Sequence, residues 1–384
     1  MWLSGGRGEF GAMWGPLGGI FNPVSGEICP HKGGRWPPWP PQSGQHVVVK
    51  ARVLDRWIIK EVAVENFFLP TPVFDLPAPH TVEYREYQST RPDQLAERIA
   101  EAEIVIINRI PLGEDVLDEA VTPNLRMICV VASGTDSVDK ENCRRRNIVV
   151  TSSPQCNTLT VAEHAIGLYF SVRRRITYSH QLTQASEWPN LGLRVNEILN
   201  TPNGKPPRTC KDEVVGILGY GALGKQIALI AKALGMKVIL SGHKGNPPSD
   251  GRVHFDEVIR TASVLIVSVP KTPATIDLIS TPEFLQMQPE SVLINVSRGG
   301  TVDEAALVKA LKDGQIAGAA TDVYVQEPVT KEVSPLIGPE VKDLNLVTTP
   351  HIAWCSEETY VNLLNTLESN VLAWISGKPI NVVA

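Results

Sequence analysis

A chain of 384 residues is too long for one comfortable hydrophobic core and fits two domains of ordinary size, and a hydrophobic content of 43% can build both. Its formal net charge of -5, with the signs mixed, excludes the basic face that nucleic acid needs and leaves a small anionic ligand dependent on local positive groups. Cys29, Cys129, Cys143, Cys156, Cys210 and Cys355 are scattered without CxxC pairs or a zinc-like Cys/His spacing, and no apolar run approaches a membrane span; the expectation is a cytoplasmic chain with no metal, membrane or nucleic-acid partner.

Residues 1–45 are dense in Gly, Pro and Trp (SGGRGEFGAMWGPLGG, RWPPWPPQSG) and show no helical or strand periodicity, which predicts a disordered extension. Its four tryptophans leave open a Pro-rich partner-binding segment or an artefact of the assigned start. From His46 to Ser152, HVVVKARVL, EIVIINRI, LRMICVV and NIVVTS read as buried strands and PDQLAERIAEAE as an amphipathic helix, giving a small α/β domain. The strand LRMICVV runs into ASGTDSVD, a Gly-containing turn whose backbone amides are free to face a ligand.

Between Pro154 and His351 the alternation becomes regular. VVGILG, KVILSG, VLIVSVP, VLINVS, IAGAATDVY and LNLVTTP are strands separated by helical patterns such as DEAALVKALKDG, which implies a parallel sheet covered on both faces. The closing SEETYVNLLNTLESNVLAWISG reads as one long amphipathic helix able to pack back on the first domain. The expected division is therefore 46–153 plus 351–384 as one domain and 154–350 as the other.

Within the second domain, EVVGILGYGALGKQIALIAKALG places Gly219, Gly221, Ala222, Leu223 and Gly224 where an apolar strand turns into a helix. Absent side chains let the backbone approach a pyrophosphate, and the helix N-terminus supplies oriented N–H groups. The next strand ends KVILSGHKG, so the acid that would hold an NAD ribose is replaced by Gly242, followed by His243 and Lys244, whose donors suit a 2′-phosphate. NADP is favoured over NAD.

From about Asn108 onward the motifs ASGTDSVD, SPQCNTLTVAEHAIGL, GYGALG, NVSRGGTVDEAALVKAL, GAATDVYVQEP and TTPHIAW occur in an order that resembles the D-isomer-specific 2-hydroxyacid dehydrogenase family. The resemblance implies two Rossmann-like domains with doubly wound parallel sheets, an active-site cleft between them, and a homodimer. It implies catalytic roles for Arg298 as the substrate-orienting cation, Glu327 as the acid partnering histidine, and His351 as the proton donor. It further implies that the amides of Ser133 and Gly134 hold the substrate carboxylate opposite Arg298, that Val296 and Asp322 lie near the nicotinamide, and that Pro270 lines the adenosine side. Gly is common in the family where Ala132 stands, which bears on substrate size. Lys271, after Pro270, receives no role, and Cys355 is expected to be a buried, inert thiol.

Reduction of a small 2-oxo acid such as glyoxylate or hydroxypyruvate by NAD(P)H follows. The alternative is an NAD(H)-sensing corepressor-like scaffold of the same family, for which the short basic run Arg144–Arg146 makes a poor nuclear signal. Glu327 argues against formate oxidation, where the resemblance would call for glutamine.

Overall fold

The computed structural model describes residues 19–21, 28–30, 48–50, 58–65, 69–72, 74, 81–249 and 251–384. Met1–Gln45 form a unit of their own, in which strands β1 (Gly19–Phe21) and β2 (Ile28–Pro30) pair antiparallel. The four tryptophans and the expected disorder lie outside the described residues.

The unit from His46 to Ala384 carries two six-stranded sheets. The first is built from β3 (Val48–Lys50), β4 (Ile58–Ala63), β5 (Thr81–Glu86), helix α1 (Pro92–Ile99), β6 (Ile104–Ile107), β7 (Met127–Val130), α2 (Lys140–Arg145) and β8 (Val149–Thr151), in the order β3-β5-β4-β6-β7-β8. All neighbours are parallel except β3, which runs antiparallel to β5 and departs from the expected all-parallel arrangement. Period-two alternation explains why β6 and β7 read as unbroken apolar runs. Val105, Ile107 and Ile128 face a core shared with Leu95 and Ile99 of α1, while Ile104, Ile106 and Met127 face the opposite core.

The second sheet follows α3 (Thr158–Arg173), α4 (Ile176–Gln184) and α5 (Trp188–Leu191). Its elements are β9 (Val214–Leu218), α6 (Ala222–Ala233), β10 (Lys237–Leu240), α7 (Phe255–Thr261), β11 (Val264–Val267), α8 (Thr281–Phe284), β12 (Val292–Asn295), α9 (Glu304–Lys312), β13 (Gly318–Thr321) and β14 (Leu346–Thr348). The order β10-β9-β11-β12-β13-β14 is parallel throughout, so connections run in opposite directions on either side of β9. Such a reversal leaves a crevice at the carboxyl ends of the strands, where ligands bind. Ile227, Ala228 and Ala231 of α6 bury against Val215 and Ile217 of β9 and against Val161, Ala165 and Leu168 of α3. Arg173 of α3 ion-pairs with Glu213 at 2.6 Å in the interior and donates to the carbonyls of Glu290 and Ser263, which ties α3 to the edge where the strands begin.

The C-terminal helix α10 (Glu357–Ile375) starts at Ser356, whose hydroxyl caps the Thr359 amide, and packs Leu363, Leu367 and Val371 on the first sheet, as its amphipathic pattern predicts. No helix among the described residues is long and apolar enough to cross a membrane.

Candidate active site

A cleft of about 1080 Å³ is lined by loops that follow strands of both sheets. On the side of the second sheet it meets the glycine turn. Gly219 leaves β9 with φ +94, a left-handed conformation that favours glycine, and a Cβ on Gly224 would sit 2.0 Å from the carbonyl oxygen of Gly219. Gly221 faces open space, and as the N-cap of α6 it offers no side chain to the helix's first N–H groups. The turn is thus a backbone cradle at the positive end of a twelve-residue helix, which fits the pyrophosphate of a dinucleotide. Ser268 stiffens it from the neighbouring strand end by donating to the Gly219 carbonyl at 2.8 Å. Ala222, Leu223, Pro270 and Val296 line the same cleft.

Arg298 is held on a turn after β12. Buried Asn295 accepts from the amide and hydroxyl of Ser297 at 3.1 and 2.8 Å, and buried Thr301 donates to the Arg298 carbonyl at 2.7 Å. These bonds fix the backbone from which the guanidinium extends. The side chain crosses the cleft: Nη1 donates to the Ser297 carbonyl at 2.9 Å, Nε lies 3.3 Å from Asp136, and Nη2 occupies the space where Gly134 would carry a Cβ. Ser133 and Gly134 line the cleft here, and among the described residues neither amide has a backbone acceptor. A guanidinium facing two such amides is suited to a carboxylate.

Glu327 and His351 stand together, with Nδ1 of the ring 2.6 Å from Oε2 of the carboxylate. The other oxygen, Oε1, accepts the Tyr324 amide at 3.0 Å. Burial pulls the Glu327 carboxyl upward, but the hydrogen bond and charge of His351, the Tyr324 amide and the Arg109 charge outweigh it and hold the group below its ordinary value. His351 has φ +53, a strained conformation for a non-glycine residue. Asp322 supports it from behind: its carboxylate accepts from the Ile352 amide at 3.0 Å, the Ala353 amide at 2.9 Å and the Thr349 hydroxyl at 2.6 Å. Sequence reasoning pointed Asp322 at the nicotinamide. In the structure it is 1% exposed, and each of its carboxylate oxygens accepts from the loop that carries His351.

Ser133, Gly134, Ala222, Leu223, Pro270, Val296, Arg298, Glu327 and His351 thus line one cleft, with Gly219, Gly221 and Gly224 in the turn beside it. His243 and Lys244 lie apart, after β10. His243 is exposed, whereas Lys244 lies 2.8 Å from buried Glu283 and donates to the Leu278 carbonyl at 3.1 Å, because a buried carboxylate attracts the nearest cation. Arg252, absent from the sequence reading, donates to the Ser241 carbonyl at 3.0 Å, brought there by a loop that folds back to bridge Ser241 and Val253. Arg109 was also missed: it lines the cleft and donates to the His351 carbonyl at 3.2 Å. Cys355 corrects its expectation, being exposed and 3.0 Å from the Tyr360 hydroxyl, since it follows the surface turn after His351 rather than the core.

The profile described as "D-isomer specific 2-hydroxyacid dehydrogenase, NAD binding domain" matches residues 166–353. A glycerate dehydrogenase of Methylorubrum extorquens is 39% identical over 325 residues, covering 84% of this chain and 98% of that protein. A glyoxylate reductase of Thermococcus litoralis is 31% identical, covering 75% of this chain and 86% of its own length. The solved structure of an NADPH-dependent glyoxylate/hydroxypyruvate reductase from Sinorhizobium meliloti, in complex with NADP and malonate, aligns with a TM-score of 0.65 at 25% identity over 85% of this chain and 97% of that one. The chain belongs to the D-isomer-specific 2-hydroxyacid dehydrogenase family, enzymes that act on the CH–OH group of their donors with a nicotinamide cofactor.

Proposed function

We propose that the chain reduces glyoxylate, hydroxypyruvate or a close relative to the D-2-hydroxy acid, with Arg298, Glu327 and His351 as its catalytic residues. The observation that carries this reading is the Glu327–His351 pair at 2.6 Å in the same cleft as Arg298 and the Gly134 loop. Ser133 and Gly134 offer amides to the substrate carboxylate, and Arg298 meets it from the opposite wall. When bound, the nicotinamide cofactor supplies hydride to the carbonyl carbon. His351 delivers a proton to the developing alkoxide through Nε2, because its Nδ1 is occupied by Glu327. Glu327 fixes the ring plane through Nδ1, while Asp322 fixes the backbone beneath it. Closure of the cleft around the substrate excludes water.

The glycine turn, Pro270 and Val296 would hold the cofactor, with NADP preferred through His243, Lys244 and Arg252 at the end of β10. The same proposal divides the chain into a substrate-binding domain of 46–153 plus 351–384 and a dinucleotide-binding domain of 154–350. It makes the protein a cytoplasmic homodimer: Cys129, Cys143, Cys156, Cys210 and Cys355 are free thiols, and Ile176 of α4, Trp188 of α5 and Leu193 in the turn after α5 are exposed, the last at 99%. Steady-state assays of glyoxylate, hydroxypyruvate, pyruvate and aryl pyruvates with NADPH and NADH test the reaction. Turnover of glyoxylate or hydroxypyruvate that survives unchanged in His351→Ala would remove the assigned mechanism.

A further inference from the structure

Arg298 makes its contacts through different nitrogens, and the division among them is informative. Nη1 is spent on the Ser297 carbonyl of its own turn, and Nε faces Oδ2 of Asp136 at 3.3 Å. Nη2 is left against Gly134, so close that a Cβ there would lie 2.0 Å from it and 3.2 Å from Asp136 Oδ2. Asp136 and Gly134 sit on the loop after β7 of the first sheet, Arg298 on the turn after β12 of the second. An aspartate from one wall of the cleft therefore grips the edge of a guanidinium rooted in the other.

Asp136 is 62% exposed on its side chain, so its ion pair is screened and contributes little to folding. Its consequence is geometric. A guanidinium is planar, and fixing Nε fixes the direction of Nη2. Without Asp136 the long side chain regains rotamers that turn its fork away from the Ser133 and Gly134 amides.

We propose that Asp136 is a positioning residue: it holds Arg298 by Nε so that Nη2 points at the place where the substrate carboxylate meets the Gly134 loop. This rests on the reading of Arg298 as the substrate cation. Asp136 touches neither the transferred hydride nor the proton, so it acts on substrate capture through Arg298.

The test uses the full chain with Asp136→Ala, Asp136→Asn and Arg298→Lys, the last alone and combined with Asp136→Ala. The 2-oxo acid KM and kcat are measured with hydroxypyruvate, and NADPH affinity by fluorescence titration. Asp136→Ala is expected to raise KM by about tenfold with a smaller change in kcat, because misorientation of a binding group weakens capture. Asp136→Asn recovers most of that loss, since its amide oxygen still accepts from Nε. NADPH affinity stays at the wild-type value. In the Arg298→Lys background, which lacks the Nε grip, Asp136→Ala adds less than about a twofold change.

An unchanged or lowered KM in Asp136→Ala overturns the proposal, the lowered value identifying Asp136 as a competitor for Arg298. A full effect of Asp136→Ala in the Arg298→Lys background overturns it as well. Absence of turnover in the wild-type protein with every 2-oxo acid strikes the proposed function instead, and is read separately from these comparisons.

Discussion

Nδ1 of His351 lies 2.6 Å from Oε2 of Glu327, and the carboxylate's other oxygen is anchored on the Tyr324 amide, so the acid can neither rotate nor leave without breaking a second bond. Glu327 keeps its charge below the ordinary carboxylate value of 4.5, because its depressed group is protonated only as pH falls through the lowered pKa. Its stabilising contribution is likewise present above the unfolded value and lost on that same descent. Acid-side loss of kcat/KM traceable to Glu327 therefore has its midpoint below the ordinary carboxylate value of 4.5. Glu327→Gln should lower kcat for 2-oxo acid reduction by roughly a hundredfold, with NADPH affinity unchanged. A pH–rate profile of both proteins checks this, and an unaltered kcat in the variant removes the pair from the mechanism.

Asp322 should matter as much to stability as to rate. At 1% exposure it satisfies the Ile352 and Ala353 amides and the Thr349 hydroxyl, and Asp322→Ala leaves those donors without their acceptor. The expected cost is about 3 kcal/mol of folding stability, the range for losing buried charge-assisted hydrogen bonds. The loop carrying His351 is then free to relax from φ +53, and kcat falls with it. Thermal denaturation and steady-state kinetics on the same preparation read both effects. Loss of activity without loss of stability would favour the expected role of Asp322 near the nicotinamide over a supporting one.

Much of this site was legible because its residues belong to short motifs tied to strand ends. The glycine turn follows β9, Arg298 follows β12 and His351 follows β14, and each strand is an apolar run that periodicity reveals. Orientation was not legible. Asp322 could be placed near the site, but only the fold shows that its carboxylate is used on the loop behind His351. Lys244 read as a free donor because its partner Glu283 lies far along the chain. Two strands of the first sheet were missed for different reasons. In β5, Val82 and Tyr84 alternate with polar residues, a signal that was present and overlooked. In β4 the charged Glu61 interrupts the apolar run, yet it is 0% exposed, without a hydrogen-bond partner among the described residues, and burial pushes its carboxyl up to about 8.

The two glycines at the start of α6 should fail differently. A methyl at Gly224 meets the Gly219 carbonyl at 2.0 Å, a backbone atom that cannot move without opening the turn, so Gly224→Ala should lower both melting temperature and NADPH affinity. A methyl at Gly221 enters open space, so Gly221→Ala should fold as the wild type does and lose affinity alone, by about tenfold. Melting curves with and without NADPH separate the outcomes. Wild-type NADPH affinity in Gly221→Ala would show that the open face of the turn is not where the diphosphate binds.

The cations after β10 yield the last prediction, because only part of their charge is free for a ligand. Lys244 neutralises Glu283, which is 4% exposed on its side chain, while among the described residues Arg252 is bonded to the neutral Ser241 carbonyl and to no carboxylate. Lys244→Ala leaves a buried carboxylate without its cation and should cost about 1–3 kcal/mol of stability, whatever it does to cofactor binding. Arg252→Ala removes a charge without stranding a buried acid among the described residues, so its effect on cofactor choice is the cleaner measurement. If this cluster meets a 2′-phosphate, the KM for NADPH rises about tenfold in Arg252→Ala and that for NADH stays constant, because only the phosphorylated ribose carries the group to be held. Equal rises for the two cofactors would assign Arg252 to the shape of the β10 turn and withdraw the NADP preference from it.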